Sequence, residues 1–557
     1  MATYNEIHLP HQTLKSLIDN AVHSFSACPS VSFVSGKPIT YAQLGQEIDR
    51  IADLMYSYGL KAGDKVALFS HNMPNWVIAF FAVVAKGLII VPVLPDFTAD
   101  ETKNVLEHAE VNALFVSDRL YPRVKDHQIS TLKTIIKLDD FSLIHSAEKI
   151  RQKKADEVDI HEDDLAAIIY TSGTTGRSKG VMLTHKNMVH VAASSYHMFK
   201  IHHDDVFLSF LPLSHTYENA IGMLYPIMYG ASIYYLEKPP TAAALLPALS
   251  KIRPTVMMSV PLIMEKIYKS QIQGKFAKNK FSRMIYKTPV FRFLIHRIAG
   301  KKLYQTFGGR LNFFGIGGAK LDVRVERFLK EAKMPYAIGY GLTEAAPLLA
   351  GAGPNQTKLH STGFALKEVE LKINEPDERG VGEIWAKGPN VMLGYYKNPT
   401  DTEEVLTEDG WLRTGDYGFL DKRNRLYIKG RMKNTIIGAG GENIYPEDIE
   451  SVINNNQYVI ESLVVEEDGF LVAKVLLDIE AIEKHYENLK NIIEEKKLQY
   501  HEWMGNFTQE INEKLNKFSK LKRVDVMDTP FEKTASQKIK RFLYSKTAAK
   551  NTAKKTD

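Results

Sequence analysis

The chain has 557 residues, too many for a single hydrophobic core, so roughly two to four domains or subdomains are expected. Its 71 basic and 65 acidic residues leave a formal charge of +6, which over this length gives no argument for nucleic-acid binding. One cysteine, Cys28, excludes an intrachain disulfide and a thiolate zinc site. The opening Met1-Ala-Thr-Tyr-Asn-Glu6 has neither a basic region nor an apolar core, so no secretory signal is expected and the chain reads as cytoplasmic.

From about residue 40 to 240, helical patterns alternate with short apolar runs such as Lys65–Phe69, Ala113–Val116, Ala167–Tyr170 and Ser232–Tyr235. Such alternation predicts largely parallel sheets covered by helices. The most apolar window, Trp76 to Leu94, is broken by Lys86-Gly87 and carries Pro92. It reads as a buried helix, a glycine turn and a buried strand rather than a membrane span. Thr255–Ser259 and Leu311–Ile316 continue the strand pattern. Between about 360 and 430, short strands with close turns predict a small β-barrel-like part. A compact α+β unit is expected beyond Arg431, with a hairpin around Glu466-Glu-Asp-Gly469 and a Lys/Glu-rich helical stretch over about 481–517. Residues 546–557, rich in Lys, Thr and Ala, read as a disordered basic tail.

Residues 275–302 stand apart electrostatically. Nine cations, from Lys275 to Lys302, alternate with Phe276, Phe281, Phe291, Phe293, Leu294 and Ile298, and the segment itself holds no acidic residue. Such a stretch suits peripheral contact with an anionic membrane; it equally suits a surface helix packed on its own domain.

The chemistry begins at Tyr170-Thr-Ser-Gly-Thr-Thr-Gly-Arg-Ser-Lys-Gly-Val181, directly after an apolar strand. The loop can offer backbone N–H groups, hydroxyls and the Lys179 charge to one anion. Gly173 and Gly176 are three apart, which does not fit the common mononucleotide loop with four residues between its glycines. Further along come Leu211-Pro-Leu-Ser-His-Thr-Tyr-Glu218, Gly315-Ile-Gly-Gly-Ala319, Gly339-Tyr-Gly-Leu-Thr-Glu-Ala345, Trp411-Leu-Arg-Thr-Gly-Asp416, Tyr427-Ile-Lys-Gly-Arg-Met-Lys-Asn434 and Pro530-Phe-Glu-Lys-Thr-Ala-Ser-Gln-Lys538.

Taken in order over about 370 residues, these segments resemble the adenylate-forming superfamily, which includes acyl- and aryl-CoA synthetases. The resemblance implies an α/β fold: a large N-terminal domain (1–430) of two parallel-sheet subdomains plus the small β-barrel, and a mobile α+β C-terminal domain (431–545). It implies ATP, Mg²⁺ and coenzyme A as partners of a carboxylic acid. Thr171, Ser172, Gly173, Thr174, Thr175, Gly176 and Lys179 would hold phosphate, with Thr171 and Lys179 counted as catalytic. Gly317, Gly318, Ala319, Tyr340 and Gly341 would hold adenine, and Thr343 a phosphate. Glu344 would hold Mg²⁺, Asp416 the ribose hydroxyls, and Arg431 ribose and phosphate. His215 would line the acyl pocket, Lys433 would be the hinge, and Lys538 the adenylation lysine. Asn434, where relatives often carry an acid, and Gln537, where they usually carry Gly, depart from the pattern. Gln537, the sequence Gly441-Glu-Asn-Ile-Tyr-Pro446 and the chain length resemble the long-chain fatty acyl-CoA synthetase branch, while the apolar runs 211–235 and 255–268 suit an alkyl chain and a packed core alike. An acyl-[acyl carrier protein] ligase, a CoA ligase for medium-chain or aryl acids, and a binding module without catalysis are the alternatives.

Overall fold

The computed structural model describes residues 6–147, 150, 153–171, 178–269, 286, 288–318, 320–438, 443–456, 458–479, 506–516, 518–534 and 538–544. The loop residues Ser172, Gly173, Thr174, Thr175 and Gly176, together with Ala319, Gln537, all of 481–505 and the tail 546–557, lie outside them. So does the first half of the basic segment, 275–285.

Two eight-stranded sheets form the bulk of the molecule. In one, Val31–Phe33, Ser232–Tyr235, Val206–Ser209, Val256–Ser259, Phe313–Ile316 and Tyr336–Gly341 run parallel in that order across the sheet. Leu348–Gly351 and Phe364–Ala365 extend it antiparallel. In the other, Leu165–Thr171, Ile89–Val93, Lys65–Phe69, Ala113–Val116 and Thr134–Lys137 form the parallel centre. Lys179–Thr184 closes back on Leu165–Thr171 as an antiparallel hairpin. The parallel strands read as unbroken apolar runs because helices cover both faces.

The apolar window resolves as expected into a helix, Pro74–Val84, and a strand, Ile89–Val93. Every residue from Trp76 to Val84 is buried. Pro92 is tolerated in an inner strand because it pairs in register with Leu68 on one side, while Leu165–Thr171 engages this strand only at Ile90. Among the described residues no helix is long and apolar enough to cross a membrane. Side-chain caps fix several helix starts: Thr40 with Gln43, Thr98 with Glu101 and Thr184 with Asn187 each form a reciprocal pair.

The small β-rich part is a four-stranded antiparallel sheet, ordered Glu370–Asn374, Gly382–Lys387, Leu412–Leu420 and Leu426–Arg431. Among the described residues no ladder joins its outer strands into a closed barrel. The C-terminal unit has a separate core around Ile449, Ile453, Val464, Val475, Phe507 and Leu521. Its hairpin, Val459–Glu467 and Phe470–Leu477, turns on Asp468 and Gly469, both at positive φ. Two such residues in a two-residue loop match the right-handed twist of the strands.

Helix Pro289–Thr306 leaves an apolar face uncovered: Val290, Phe291, Leu294 and Ile298 are 67, 52, 51 and 73% exposed. Its opposite face is tied down, since Arg292 donates to Glu331 and the buried His296 Nδ1 lies 2.7 Å from the same carboxylate. One of the nine cations is therefore neutralised by an acid from another helix, which the segment's own sequence does not reveal.

Candidate active site

The C-terminal ends of both parallel sheets, the four-stranded sheet and the C-terminal unit enclose one cavity of about 2280 Å³. Crevices beyond the carboxyl ends of parallel strands are where such sheets bind ligands.

Tyr336–Gly341 delivers the first group of side chains. Gly341 permits the chain to fold against itself: a Cβ there would lie 1.8 Å from the Pro347 carbonyl oxygen. The chain then enters a short 3₁₀ turn, Thr343–Ala345, which places Thr343 and Glu344 on the cavity wall. The Tyr395 hydroxyl donates to Glu344 Oε1 at 2.7 Å and orients the carboxylate. Across from them, Gly317 and Gly318 follow strand Phe313–Ile316, and Gly318 takes φ +88°. The Tyr217 ring packs over this turn, 3.1 Å from where a Cβ on Gly317 would be.

Asp416 and Arg431 are direct neighbours on adjacent strands, and Arg431 Nε lies 3.1 Å from Asp416 Oδ1. The Tyr340 hydroxyl donates to the other oxygen at 2.8 Å. Burial pushes the Asp416 carboxyl above its ordinary range, while the Arg431 charge pulls the other way.

Lys538 arrives from the C-terminal unit on a tight reversal. Thr534 N–H donates to the Lys538 carbonyl, and Lys533 pairs with Ile539. Its side chain is open to the cavity yet surrounded by protein. That surrounding, and then the Arg431 charge, lowers its pKa; Asp416 and Glu344 oppose the shift. His215 faces the same group. Burial, with a smaller push from the Lys538 charge, takes its pKa down to about 4, so the ring is neutral at pH 7.

Thr171 and Lys179 sit opposite each other at the mouth of the hairpin that carries the Gly/Ser/Thr loop. Lys179 is not free. Its Nζ pairs with Asp401 Oδ2 at 2.6 Å and lies 4.7 Å from the centre of the Tyr395 ring. Tyr395 and Asp401 escape sequence reasoning, because Asn398-Pro-Thr-Asp401 reads only as a helix start, which it also is. Tyr395 reaches the site by pairing with Val181 across the sheet, a long-range contact without a local signal.

Lys433 lies in the 3₁₀ turn Met432–Asn434 that leaves the four-stranded sheet. Asn434 donates to Glu447 Oε1 at 2.6 Å, so the atypical amide makes its contact with helix Pro446–Ile453. Three cations from the sheets and helices before it reach across to the C-terminal unit. Lys269 donates to the Val459 carbonyl, Arg324 to the carbonyls of Asn454 and Asn455, and Lys320 pairs with Asp448.

The structure thus brings Thr171, Lys179, His215, Gly317, Gly318, Tyr340, Gly341, Thr343, Glu344, Asp416, Arg431, Lys433 and Lys538 to one cavity. The donor set fits a nucleoside triphosphate: glycine backbone for a flat base, a buried carboxylate for hydroxyls, and cations for phosphate. A lone carboxylate, Glu344, fits Mg²⁺ that completes its shell with phosphate oxygens and water. Among the described residues no cluster of three or more His, Cys, Asp or Glu offers a full protein cage.

The profile of the family described as AMP-binding enzyme matches residues 19–396, and the chain belongs to that family. It is 28% identical to fatty acyl-CoA synthetase A of Dictyostelium discoideum over 554 residues, covering 89% of this chain and 81% of that protein. It is 30% identical to long chain acyl-CoA synthetase 1 of Arabidopsis thaliana over 558 residues, covering 88% and 83%. Its fold is similar to O-succinylbenzoate coenzyme A synthetase of Bacillus subtilis in complex with ATP and magnesium ion. There the TM-score is 0.74 at 24% identity, covering 94% of this chain and 98% of that one.

Proposed function

We propose that the chain ligates a long-chain fatty acid to coenzyme A at the expense of ATP, through an acyl-adenylate. The observation that supports this most is the meeting of Lys538, Arg431, Asp416 and Glu344 with the neutral His215 in one cavity. The carboxylate oxygen of the acid attacks the α-phosphorus of ATP, and the bond to pyrophosphate breaks. Both reactants are anionic, so the site must neutralise charge and hold the groups in line. Lys538 and Arg431 supply cations, Asp416 holds the ribose hydroxyls, and Tyr340 with the turn at Gly317 and Gly318 holds adenine. Mg²⁺ bound through Glu344 would offset phosphate charge. The thiol of coenzyme A then attacks the acyl carbon and AMP leaves. Lys179 contributes charge to phosphate only in exchange for its pair with Asp401.

Residues 1–430 form the large domain and 431–545 a mobile small one, with the pivot at Lys433. Measuring pyrophosphate release over acids of two to twenty carbons, with and without coenzyme A, tests the reading. Release that peaks with long chains supports it; release confined to short or aryl acids overturns it. Thioester formation on holo-carrier protein in preference to free coenzyme A would move the acceptor to a carrier.

Glu344→Gln keeps the shape but loses the charge that favours a metal. Its pyrophosphate release should need more Mg²⁺ for half-maximal rate. A wild-type Mg²⁺ response would make Glu344 a partner of Tyr395 only.

The acid is collected, in this reading, from an anionic membrane through 275–302. Helix Pro289–Thr306 exposes Val290, Phe291, Leu294 and Ile298 beside Arg297, Lys301 and Lys302. Each cation near such a surface contributes about 1 kcal/mol. Replacing Arg297, Lys301 and Lys302 with Gln should therefore release the protein from anionic liposomes in co-sedimentation, as should high salt. Binding that ignores lipid charge, salt and the substitutions returns the helix to a packed surface element.

A further inference from the structure

Several ionisable groups on the cavity wall take no part in the proposed chemistry, and among its described acids Glu218 is the most deeply buried. Glu218 opens a π-helical turn, Glu218–Leu224, inserted between the segment bearing His215 and helix Tyr225–Met228. Single π-turns gather at functional sites because the extra residue re-aims its neighbours. Here three residues within four positions point three ways: His215 toward Lys538, Tyr217 over the Gly315–Gly317 turn, and Glu218 into the protein.

The Glu218 side chain is 1% exposed. Its carboxyl is packed against the backbone one turn on: a Cβ at Gly222 would lie 2.6 Å from both Cδ and Oε1. Asn72 donates to the Ser209 hydroxyl at 3.2 Å, and Ser209 favours the charged carboxyl, an effect that burial outweighs. Among the described residues Oε2 has no hydrogen-bond partner, nor has the hydroxyl of the fully buried Tyr235. The titratable groups that face Glu218 are the phenols of Tyr217 and Tyr235, with Tyr41 behind the latter. No described cation compensates it. A carboxylate in this position would be an unpaired interior charge, whereas the neutral acid sits there as a polar wedge.

We propose that Glu218, as the neutral acid, is a positioning residue that holds the π-helical turn and so keeps His215 and Tyr217 against the bound acyl-adenylate. Its ionisation loosens the turn and spoils the acyl side of the site. This role rests on the function proposed above, which assigns that side to the acid. Burial raises the Glu218 pKa to about 8, so the loosening falls just above neutrality.

The sign of the stability effect follows from the same shift. The folded-state pKa lies above the ordinary value of 4.5, so the contribution is fully present below about 4.5 and lost as pH climbs to about 8. Gln does not titrate. The melting temperature of Glu218→Gln relative to wild type should therefore rise steadily from pH 5 to pH 8, a measurement that needs no substrate. In activity, wild type should lose about tenfold between pH 7 and pH 9 as a group of pKa about 8 ionises, and the variant should not.

The test is the ratio of variant to wild-type kcat/KM, read with palmitate, ATP and Mg²⁺ for pyrophosphate release and with palmitoyl-adenylate and coenzyme A for transfer. The ratio cancels titrations common to both proteins. A rise of about tenfold from pH 7 to pH 9 in both half-reactions supports the role. The depressed titration of Lys538 belongs to the first half-reaction, so it cannot imitate this. A ratio that is flat with pH, or melting curves that run parallel, overturns it. Should Gln pack poorly, Glu218→Leu offers a second side chain that cannot titrate, with the same expected slopes. Absence of pyrophosphate release with any acid would sink the proposed function, while the melting comparison would still decide the state of Glu218.

Discussion

Lys538→Ala will slow acyl-adenylate formation by ~10²-fold or more, equivalent to about 3 kcal/mol of transition-state stabilisation. Lys538 enters the cavity from the C-terminal unit and meets Asp416, Arg431 and Glu344 there. Charge grows on the phosphorus oxygens as the acid attacks, and a cation in a site shielded from bulk water acts on it strongly. Transfer from preformed acyl-adenylate to coenzyme A should change far less, because a moving C-terminal domain would withdraw the lysine before that step. Single-turnover assays of the two half-reactions check this. Equal damage to both would mean that the lysine is structural.

Lys433→Pro should separate the half-reactions in the opposite sense. Lys433 is the middle residue of a 3₁₀ turn. Proline there fixes φ and also pushes Met432 away from helical backbone, so it resists the rotation an alternating domain needs. Adenylation should survive where the present arrangement remains accessible, and thioester formation should collapse. Normal overall turnover would place the pivot elsewhere in the chain.

Where the sequence was legible, it was legible for local reasons. Trp76–Val84 announces a buried helix by unbroken apolarity, and Asp468-Gly469 announces its turn by the backbone it needs. The glycine turn, Glu344, Asp416 and Lys538 were singled out by the resemblance of their motifs, taken in order, to one family, and the structure brings them to one cavity. What was not legible depends on distant pairing. Lys179 finds Asp401, Glu344 finds Tyr395, and Arg292 finds Glu331, and none of these partners is near in sequence. Glu218 stood in plain view within Leu211–Glu218, yet its burial against Gly222 follows from a π-turn that no periodicity signals.

The clasp that Lys269, Lys320 and Arg324 make on the C-terminal unit is chemically lopsided. Lys269 and Arg324 donate to main-chain carbonyls of Val459, Asn454 and Asn455, whereas only Lys320 meets a side chain, Asp448. A carbonyl is common to all twenty residue types, so residues 454, 455 and 459 can drift in identity while their half of the clasp persists. Variation that breaks it must therefore arise at Lys269 or Arg324, or must alter the path of the backbone itself. Exchange of this unit between related chains should preserve docking wherever that path is kept, and a one-residue insertion near 455 should disturb it more than any substitution there.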